Sequence, residues 1–174
     1  MCARKFTLVD VNGVTRAELS QDKARLSLGT FDENGKKRAK MFANKSGSGL
    51  SLRDENEKVR VVLTAIKTKT CMMLHDANGN LYVNLGVVKD GARLILCNAN
   101  NKAGGMFAMT KTGPILALYD ANQNERARLN ISEGKSSLVI KGKNGKAGIA
   151  LAVIKDRPWM TMSDANSKPI WLAP

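Results

Sequence analysis

Aromatic, proline, cysteine and histidine residues are scarce in this sequence of 174 residues. With 5% aromatic residues the chain has few rings on which nucleic-acid bases could stack, so base-specific recognition is not expected. Its single histidine, His75, excludes a metal site or an acid–base pair built from several histidines. Three cysteines without a CxxC spacing speak against a zinc site and a disulfide framework. No run approaches the ~20 apolar residues of a membrane-spanning helix.

Acidic residues are too few to balance the basic ones. The sequence has 28 Lys and Arg against 15 Asp and Glu, which gives a net charge of +13. Such a surface attracts polyanions, so the expected partner is nucleic acid, an acidic polysaccharide or an anionic membrane surface. The alternative is that the charge serves solubility alone. At 43% hydrophobic residues the chain is too apolar to be disordered.

A 22-residue repeat runs through the chain from end to end. Its marker is an Asp followed two residues later by an Asn, and Asn98 and Gly142 replace the Asp in two copies. The eight repeats are centred on Asn12, Asn34, Asn56, Asn78, Asn100, Asn122, Asn144 and Asn166. Eight copies without insertion or deletion indicate one structural unit repeated eight times, in a single domain over residues 1–174.

Apolar residues two apart flank each marker. We number the Asp position zero. Positions −4 and −2 are then mostly apolar, as at Leu50 and Leu52. Positions 7, 9 and 11 are also mostly apolar, as at Val61, Leu63 and Ala65. This period is typical of a β-strand with one buried face. The sequence therefore predicts an all-β antiparallel meander of eight hairpins, whose apolar face is buried by rolling into a barrel-like sheet or by homo-oligomerisation. A four-bladed propeller of 44-residue units is the alternative.

The two strands of each repeat are joined by Asp-x-Asn-Gly, which is intact at 10–13, 32–35 and 76–79. In the predicted turn the Asp side chain accepts hydrogen bonds from the backbone ahead of it, and Gly adopts positive φ. The same residues open a calcium-binding EF-hand loop, which needs Glu at its twelfth position. Counted from Asp120 and Asp76, the twelfth residues are Ile131 and Val87, neither of which can bind calcium through its side chain. The sequence therefore predicts simple turns at these positions. No metal or other cofactor is expected.

A second turn joins each repeat to the next, and basic residues recur at fixed positions around it. Position 13 carries Lys23, Lys45, Lys67, Lys89, Lys111 and Lys155, and position 6, on the face opposite the apolar rows, carries Arg16, Arg38, Arg60 and Arg126. With two strands per repeat at ~4.8 Å each, residues of one row should lie ~10 Å apart. Such a ladder of cations can follow a polyanion with little sequence choice. The alternative is that these lysines keep the sheet soluble and protect its edges.

The last repeat differs from the others. Pro169 cannot donate to a strand ladder, so the final strand is expected at an edge. Trp171 occupies a row that otherwise holds small and aliphatic residues, and it is expected to plug the open end of the core. The alternative for Trp159 and Trp171 is contact with a partner protein.

The pattern Leu-x-Leu-x-Asp-x-Asn-Gly-x-x-Arg-Ala-x-Leu occurs at 6–19 and 28–41, and more loosely at 116–129. It resembles the β-hairpin tandem repeats of uncharacterised bacterial proteins, in which a membrane anchor often precedes the hairpins. The resemblance covers nearly the whole chain and brings no known activity. It implies association with the cell envelope where an anchor has been removed, and a cytoplasmic location otherwise.

Catalysis has little support in the sequence. His75 stands beside Asp76 at a position that is Val9, Arg53 or Tyr119 in other repeats, so a solvated side chain is expected. We therefore expect a non-enzymatic β-repeat scaffold or binding module that presents an extended basic surface, with no small-molecule substrate. A polyanion-binding protein that uses the lysine ladder is the second hypothesis, and a hydrolase with carboxylates in a cleft is the third.

Overall fold

The computed structural model describes residues 4–146 and 148–173, and every regular element among them is a β-strand. The strands follow one another in sheet order β1 to β16, so the predicted all-β antiparallel meander of eight hairpins is confirmed. The chain divides into two units, residues 1–89 and 90–174, each with eight strands. Within the described residues, no helix is long and apolar enough to cross a membrane.

Each repeat supplies one pair of strands on either side of its Asp–Asn turn. Unit 1 contains β1 (Lys5–Val9), β2 (Thr15–Asp22), β3 (Arg25–Phe31), β4 (Lys37–Asn44), β5 (Gly47–Arg53), β6 (Val59–Ile66), β7 (Lys69–His75) and β8 (Leu81–Val88). Unit 2 contains β9 (Gly91–Cys97), β10 (Ala103–Thr110), β11 (Gly113–Tyr119), β12 (Glu125–Ser132), β13 (Lys135–Lys141), β14 (Gly148–Ile154), β15 (Arg157–Ser163) and β16 (Pro169–Ala173).

Strand pairing within the units distinguishes between the predicted architectures. A propeller would interrupt the hydrogen-bonded ladder after every fourth strand, but β4 pairs with β5 and β12 pairs with β13 in continuous register. The propeller alternative is therefore wrong. The barrel-like form also needs correction, because the strand order has β1 and β16 as its ends, without the closing pair that a barrel requires. The terminal place of β16 agrees with the edge position expected from Pro169.

The Asp–Asn turns have the predicted geometry. In the first repeat the N–H of Gly13 donates to the carbonyl oxygen of Asp10, and Gly13 has a φ of 79°. The same bond closes the turns in which Glu57, Asn101, Gln123 or Ser167 replaces the glycine, and these residues also have positive φ. The replacements therefore keep the same turn and adopt the left-handed conformation that glycine adopts at no steric cost.

Two of these replacements make bonds that glycine could not make. The Glu57 carboxylate accepts a hydrogen bond from the N–H of Lys37 at 3.1 Å, in the preceding repeat. Gln123 accepts from the N–H of Ala103 at 3.1 Å and donates to its carbonyl oxygen at 2.9 Å. Each side chain thus satisfies backbone groups of the neighbouring turn, which offsets part of the cost of positive φ.

A β-bulge follows most Asp–Asn turns. In the second repeat Thr30 pairs with Ala39 and Phe31 pairs with Lys37, so Arg38 is an extra residue with no direct partner. The bulge brings positions 5 and 6 onto the same face of the sheet, opposite the leucine rows. In the repeat that has Gly142 in place of Asp, Lys141 pairs with Gly148 and the register continues without a shift.

Candidate anion-binding face

The Asp side chains are occupied by their own turns. Asp120 accepts hydrogen bonds from the N–H groups of Asn122 at 2.9 Å and Asn124 at 3.1 Å, and the same two bonds recur in most repeats. At Asp10 the bond from the N–H of Val14 is the largest influence, and it holds the pKa below its ordinary value. At Asp120 burial opposes this shift, but the bonds from Asn124 and Asn122 lower the pKa overall. These carboxylates therefore stabilise turns.

The position-6 arginines connect each turn to the next. Arg60 donates through Nε to the carbonyl oxygen of His75 at 2.9 Å and through Nη1 to the Asp54 carboxylate at 3.4 Å. Arg16 and Arg126 make the equivalent pairs of bonds, whereas Arg38 lies 4.0 Å from the Asp32 carboxylate. The four arginines lie, as predicted, on the face opposite the apolar rows. Each guanidinium group forms an ion pair with the Asp carboxylate of its own repeat. Their role in polyanion binding stays a prediction.

The position-13 lysines lie in the exposed turns between repeats, at the end of each hairpin away from the Asp–Asn turns. Lys23, Lys45, Lys67 and Lys89 belong to unit 1, and Lys111 and Lys155 to unit 2. Lys111 forms an ion pair with Asp90 at 2.8 Å, but both groups are well exposed, so the pair adds little stability. The exposed positions leave these lysines accessible to a polyanion.

A compensated ion cluster lies on the face opposite the leucine rows in unit 2. Glu125 stands at position 5 of its repeat and forms an ion pair with Arg128, whose Nε donates to it at 2.8 Å. Lys141 of the next strand reaches the other carboxylate oxygen at 3.2 Å. Hydrogen bonds from Arg128, opposed by burial and aided by Lys141, lower the pKa of Glu125. One carboxylate here partners two cations.

In the second repeat and the strand that follows it, which belong to unit 1, the same three positions carry only cations. Lys37, Lys40 and Arg53 stand where unit 2 has Glu125, Arg128 and Lys141, so a lysine replaces the carboxylate between the two cations. Arg25 lies beside them, 4.1 Å from the centre of the Phe42 ring. The Lys37 ammonium lies 5.3 Å from the Phe31 ring centre. We call Arg25, Lys37, Lys40 and Arg53 the cation cluster.

The charged form of Lys40 is disfavoured in the cation cluster. Burial of this side chain, followed by repulsion from Arg25, Lys37 and Arg53, lowers the pKa of Lys40. The Glu18 carboxylate favours the charged form of Lys40, but it also forms an ion pair with Lys5 at 2.6 Å. Arg53 donates to the carbonyl oxygen of Glu57 at 2.7 Å. Its Nε is buried without a hydrogen-bond partner in the described part of the chain.

Small residues leave room beside the cluster. Lys40 pairs with Gly29 on one side and Ser51 on the other, so neither neighbour projects a long side chain over it. Gly29 is buried, and an added Cβ would lie 3.5 Å from both the Lys37 side chain and the Phe31 ring. The arrangement combines several hydrogen-bond donors with an excess of positive charge. An anionic oxygen is the group it suits best.

The opposite surface, formed by strand positions −6, −4, −2, 7, 9 and 11, is here called the leucine face. The sequence predicted it to be buried by rolling of the sheet or by homo-oligomerisation. Within one chain, many of its large side chains are between 36% and 64% exposed, so the sheet itself does not bury them, and burial by homo-oligomerisation stays a prediction. In unit 1 these side chains are Phe6, Leu8, Leu19, Leu26, Leu28, Met41, Leu52, Leu63, Leu85 and Val87. In unit 2 they are Leu96, Phe107, Met109, Leu116, Leu118, Leu129, Ile131, Ile140, Ile149, Leu151, Val153 and Trp171. Strand residues of this face include no charged side chain.

The buried residues are instead small ones on the opposite face. Cys71, Ala108, Ala117 and Ser137 are buried, as are Gly29 and Gly86, and all six alternate with leucine-face residues along their strands. A groove of about 800 Å³ runs over the leucine face of unit 1, lined by side chains such as Leu28, Leu50 and Leu63. The hydrophobic periodicity thus identified the two faces correctly, although within a single chain many large side chains of the leucine face stay exposed.

The tryptophans and the histidine also depart from expectation. Trp159 pairs with Ala152 on the face opposite the leucine rows, and Trp171 pairs with Met162 on the leucine face. Both indoles are nearly half exposed, so Trp171 does not plug a core. The Nδ1 atom of His75 is buried and has no hydrogen-bond partner among the described residues, so this side chain is not fully solvated.

No group of three or more potential metal-ligating side chains occurs within residues 4–146 and 148–173. No family model matched the chain, and neither did any curated protein. Sequence reasoning had considered lysine rows along the turns and missed the cation cluster, whose members come from three different strands. The cation cluster could have been found by comparing positions 5 and 8 between repeats. These positions hold Lys37 and Lys40 in the second repeat but Glu125 and Arg128 in the sixth.

Proposed function

We propose that this chain is a non-enzymatic β-repeat binding module that presents a basic surface to a polyanion, such as nucleic acid or an acidic polysaccharide. The carrying observation is the substitution of Lys37 for the carboxylate that Glu125 provides in unit 2. An anionic group of the ligand takes the place of that carboxylate between Lys40 and Arg53. Burial is the largest cause of the lowered pKa of Lys40, and binding of an anion relieves the repulsion that adds to it.

The turn lysines extend this basic surface within each unit. In such binding, affinity comes mainly from counterion release, so it falls steeply as salt concentration rises and depends weakly on base sequence. The scarcity of aromatic residues favours contact with the backbone of the polymer over stacking on its bases.

The test compares heparin and single-stranded DNA binding by the parent with binding by Lys37→Glu, which recreates the ion cluster of unit 2. The control is Lys58→Glu, which makes the same charge change at an exposed turn residue outside the cation cluster. We expect Lys37→Glu to weaken binding about tenfold more than Lys58→Glu, because only the first fills the site with a carboxylate. Equal effects of the two variants, or no binding by the parent at low salt, would contradict the proposal.

A second variant tests the turn lysines. Changing Lys23, Lys45 and Lys67 to Gln should reduce the slope of log affinity against log salt by up to about three, roughly one per lost phosphate contact. An unchanged slope would show that these lysines serve solubility, while the Lys37→Glu comparison would still test the cation cluster.

A further inference from the structure

The leucine face exposes many large apolar side chains to water. Its exposed large side chains number ten in unit 1 and twelve in unit 2. Soluble monomers rarely expose contiguous apolar patches larger than a few hundred Å², and larger patches usually mark interaction sites. This face continues over every strand of a unit, at positions that alternate along each strand and pair across neighbouring strands, as Leu50 does with Leu63.

We propose that the leucine face packs against the leucine face of a second copy of this chain, forming a symmetric dimer. Charge distribution favours this occupant. The chain carries a net charge of +13, yet strand residues of the leucine face include no charged side chain. Two copies can therefore join through this face without burying a charge, and their cations stay on the outer surfaces. An acidic partner would find nothing on this face with which to pair.

The size of the face fits a stable dimer. A standard protein interface contains about 20–30 residues on each side, and the leucine face of unit 1 alone has 23 strand residues, ten of which are large and exposed. A second copy also has the same spacing of rows, about 10 Å from repeat to repeat. Two sheets with matched rows can interdigitate at the separation of about 10 Å that is usual for packed sheets. The groove on unit 1 gives side chains of the second copy a place to enter.

The test uses two double variants of the full chain. Leu63→Gln with Leu129→Gln changes one central leucine-face residue in each unit, at exposures of 39% and 43%. Ile66→Gln with Ile154→Gln is the matched control, because these isoleucines are 39% and 37% exposed and end strands β6 and β14 off the leucine face. Sedimentation equilibrium at about 1–100 µM gives the association state, and far-UV circular dichroism verifies that each variant keeps its strands.

We expect the parent and the control to be dimers, and the leucine-face variant to dissociate with a dissociation constant at least about 100-fold higher, since four buried leucines per dimer become polar. A parent that stays monomeric, or that binds detergent micelles as a monomer, would overturn the proposal. The proposal would also be overturned if the leucine-face variant and the control had the same dissociation constant, because the interface would then lie elsewhere. Neither result depends on whether the cation cluster binds an anion.

Discussion

At the scale of single residues, one Asp organises the Asp–Asn turn in six of the eight repeats. The side chain of Asp120 accepts two backbone hydrogen bonds and lies 3.4 Å from the Arg126 guanidinium. The two backbone hydrogen bonds to the Asp side chain were inferred from the Asp-x-Asn spacing, because an Asx turn is a local arrangement of adjacent residues. The bond from Arg60 to the carbonyl oxygen of His75 was not inferred, because it joins residues 15 apart and depends on the bulge.

Acid should weaken these turns. The pKa of Asp120 is lower in the folded chain than its ordinary value, so this carboxylate stabilises the fold above the ordinary Asp range. That contribution is lost as the pH falls from about 4 through the folded-state pKa. We expect Asp120→Asn to be less stable than the parent at pH 7 and to approach it at about pH 3, as measured by urea unfolding.

The matched control for this experiment is Glu133→Gln, which removes one negative charge from an exposed residue in a different turn. It should keep the acid-induced loss of stability that the parent has. If Asp120→Asn lost stability on acidification as steeply as the parent, the hydrogen-bonded carboxylate would not be the group responsible.

At the scale of strands and turns, the sequence predicted most of the fold. Alternation around Leu50, Leu52 and Leu63 identified the strands, and the 22-residue period gave their number and order. The bulge at Arg38 escaped prediction, because the Asp-x-Asn-Gly pattern fixes the turn and does not specify which residue loses its partner. The sequence could not decide whether the sheet itself or a second copy covers the leucine face, because periodicity shows which residues share a face and does not show what covers that face.

Three of the turns between repeats have a glycine with positive φ at position 15: Gly47, Gly91 and Gly113. Gly113 has a φ of 127°, and an added Cβ would lie 1.9 Å from the carbonyl oxygen of Ile131. We expect Gly113→Ala to lower the free energy of unfolding by at least about 2 kcal/mol, because backbone atoms must move to accept the methyl group. Urea unfolding followed by circular dichroism measures the change.

Gly104→Ala is the corresponding control within the same unit. The added Cβ would lie 3.7 Å from the carbonyl oxygen of Leu96, which is an ordinary van der Waals distance. Its effect should stay within about 1 kcal/mol, since alanine restricts the unfolded chain more than glycine does. Similar losses in both variants would argue against close backbone approach as the cause at Gly113.

At the scale of the whole molecule, the two faces of the sheet have separate properties. In each unit the leucine face carries no charge along its described strands, whereas the opposite face holds the cation cluster around Lys40 in unit 1 and the compensated cluster around Glu125 in unit 2. The proposed dimer covers the first face and leaves the second accessible. Dimer formation and polyanion binding are therefore compatible, and each can be removed by substitutions that spare the other.

Dimerisation also predicts how stability depends on concentration. When two folded copies associate and unfolded chains do not, mass action raises the thermal midpoint with protein concentration. For two chains of this length, a hundredfold increase in concentration should raise the midpoint by about 4 °C. Differential scanning calorimetry over that range measures the shift, and the variant carrying Leu63→Gln and Leu129→Gln should lose it. A midpoint that is independent of concentration in the parent would mean that unfolding does not separate two copies, and the leucine face would not be their interface.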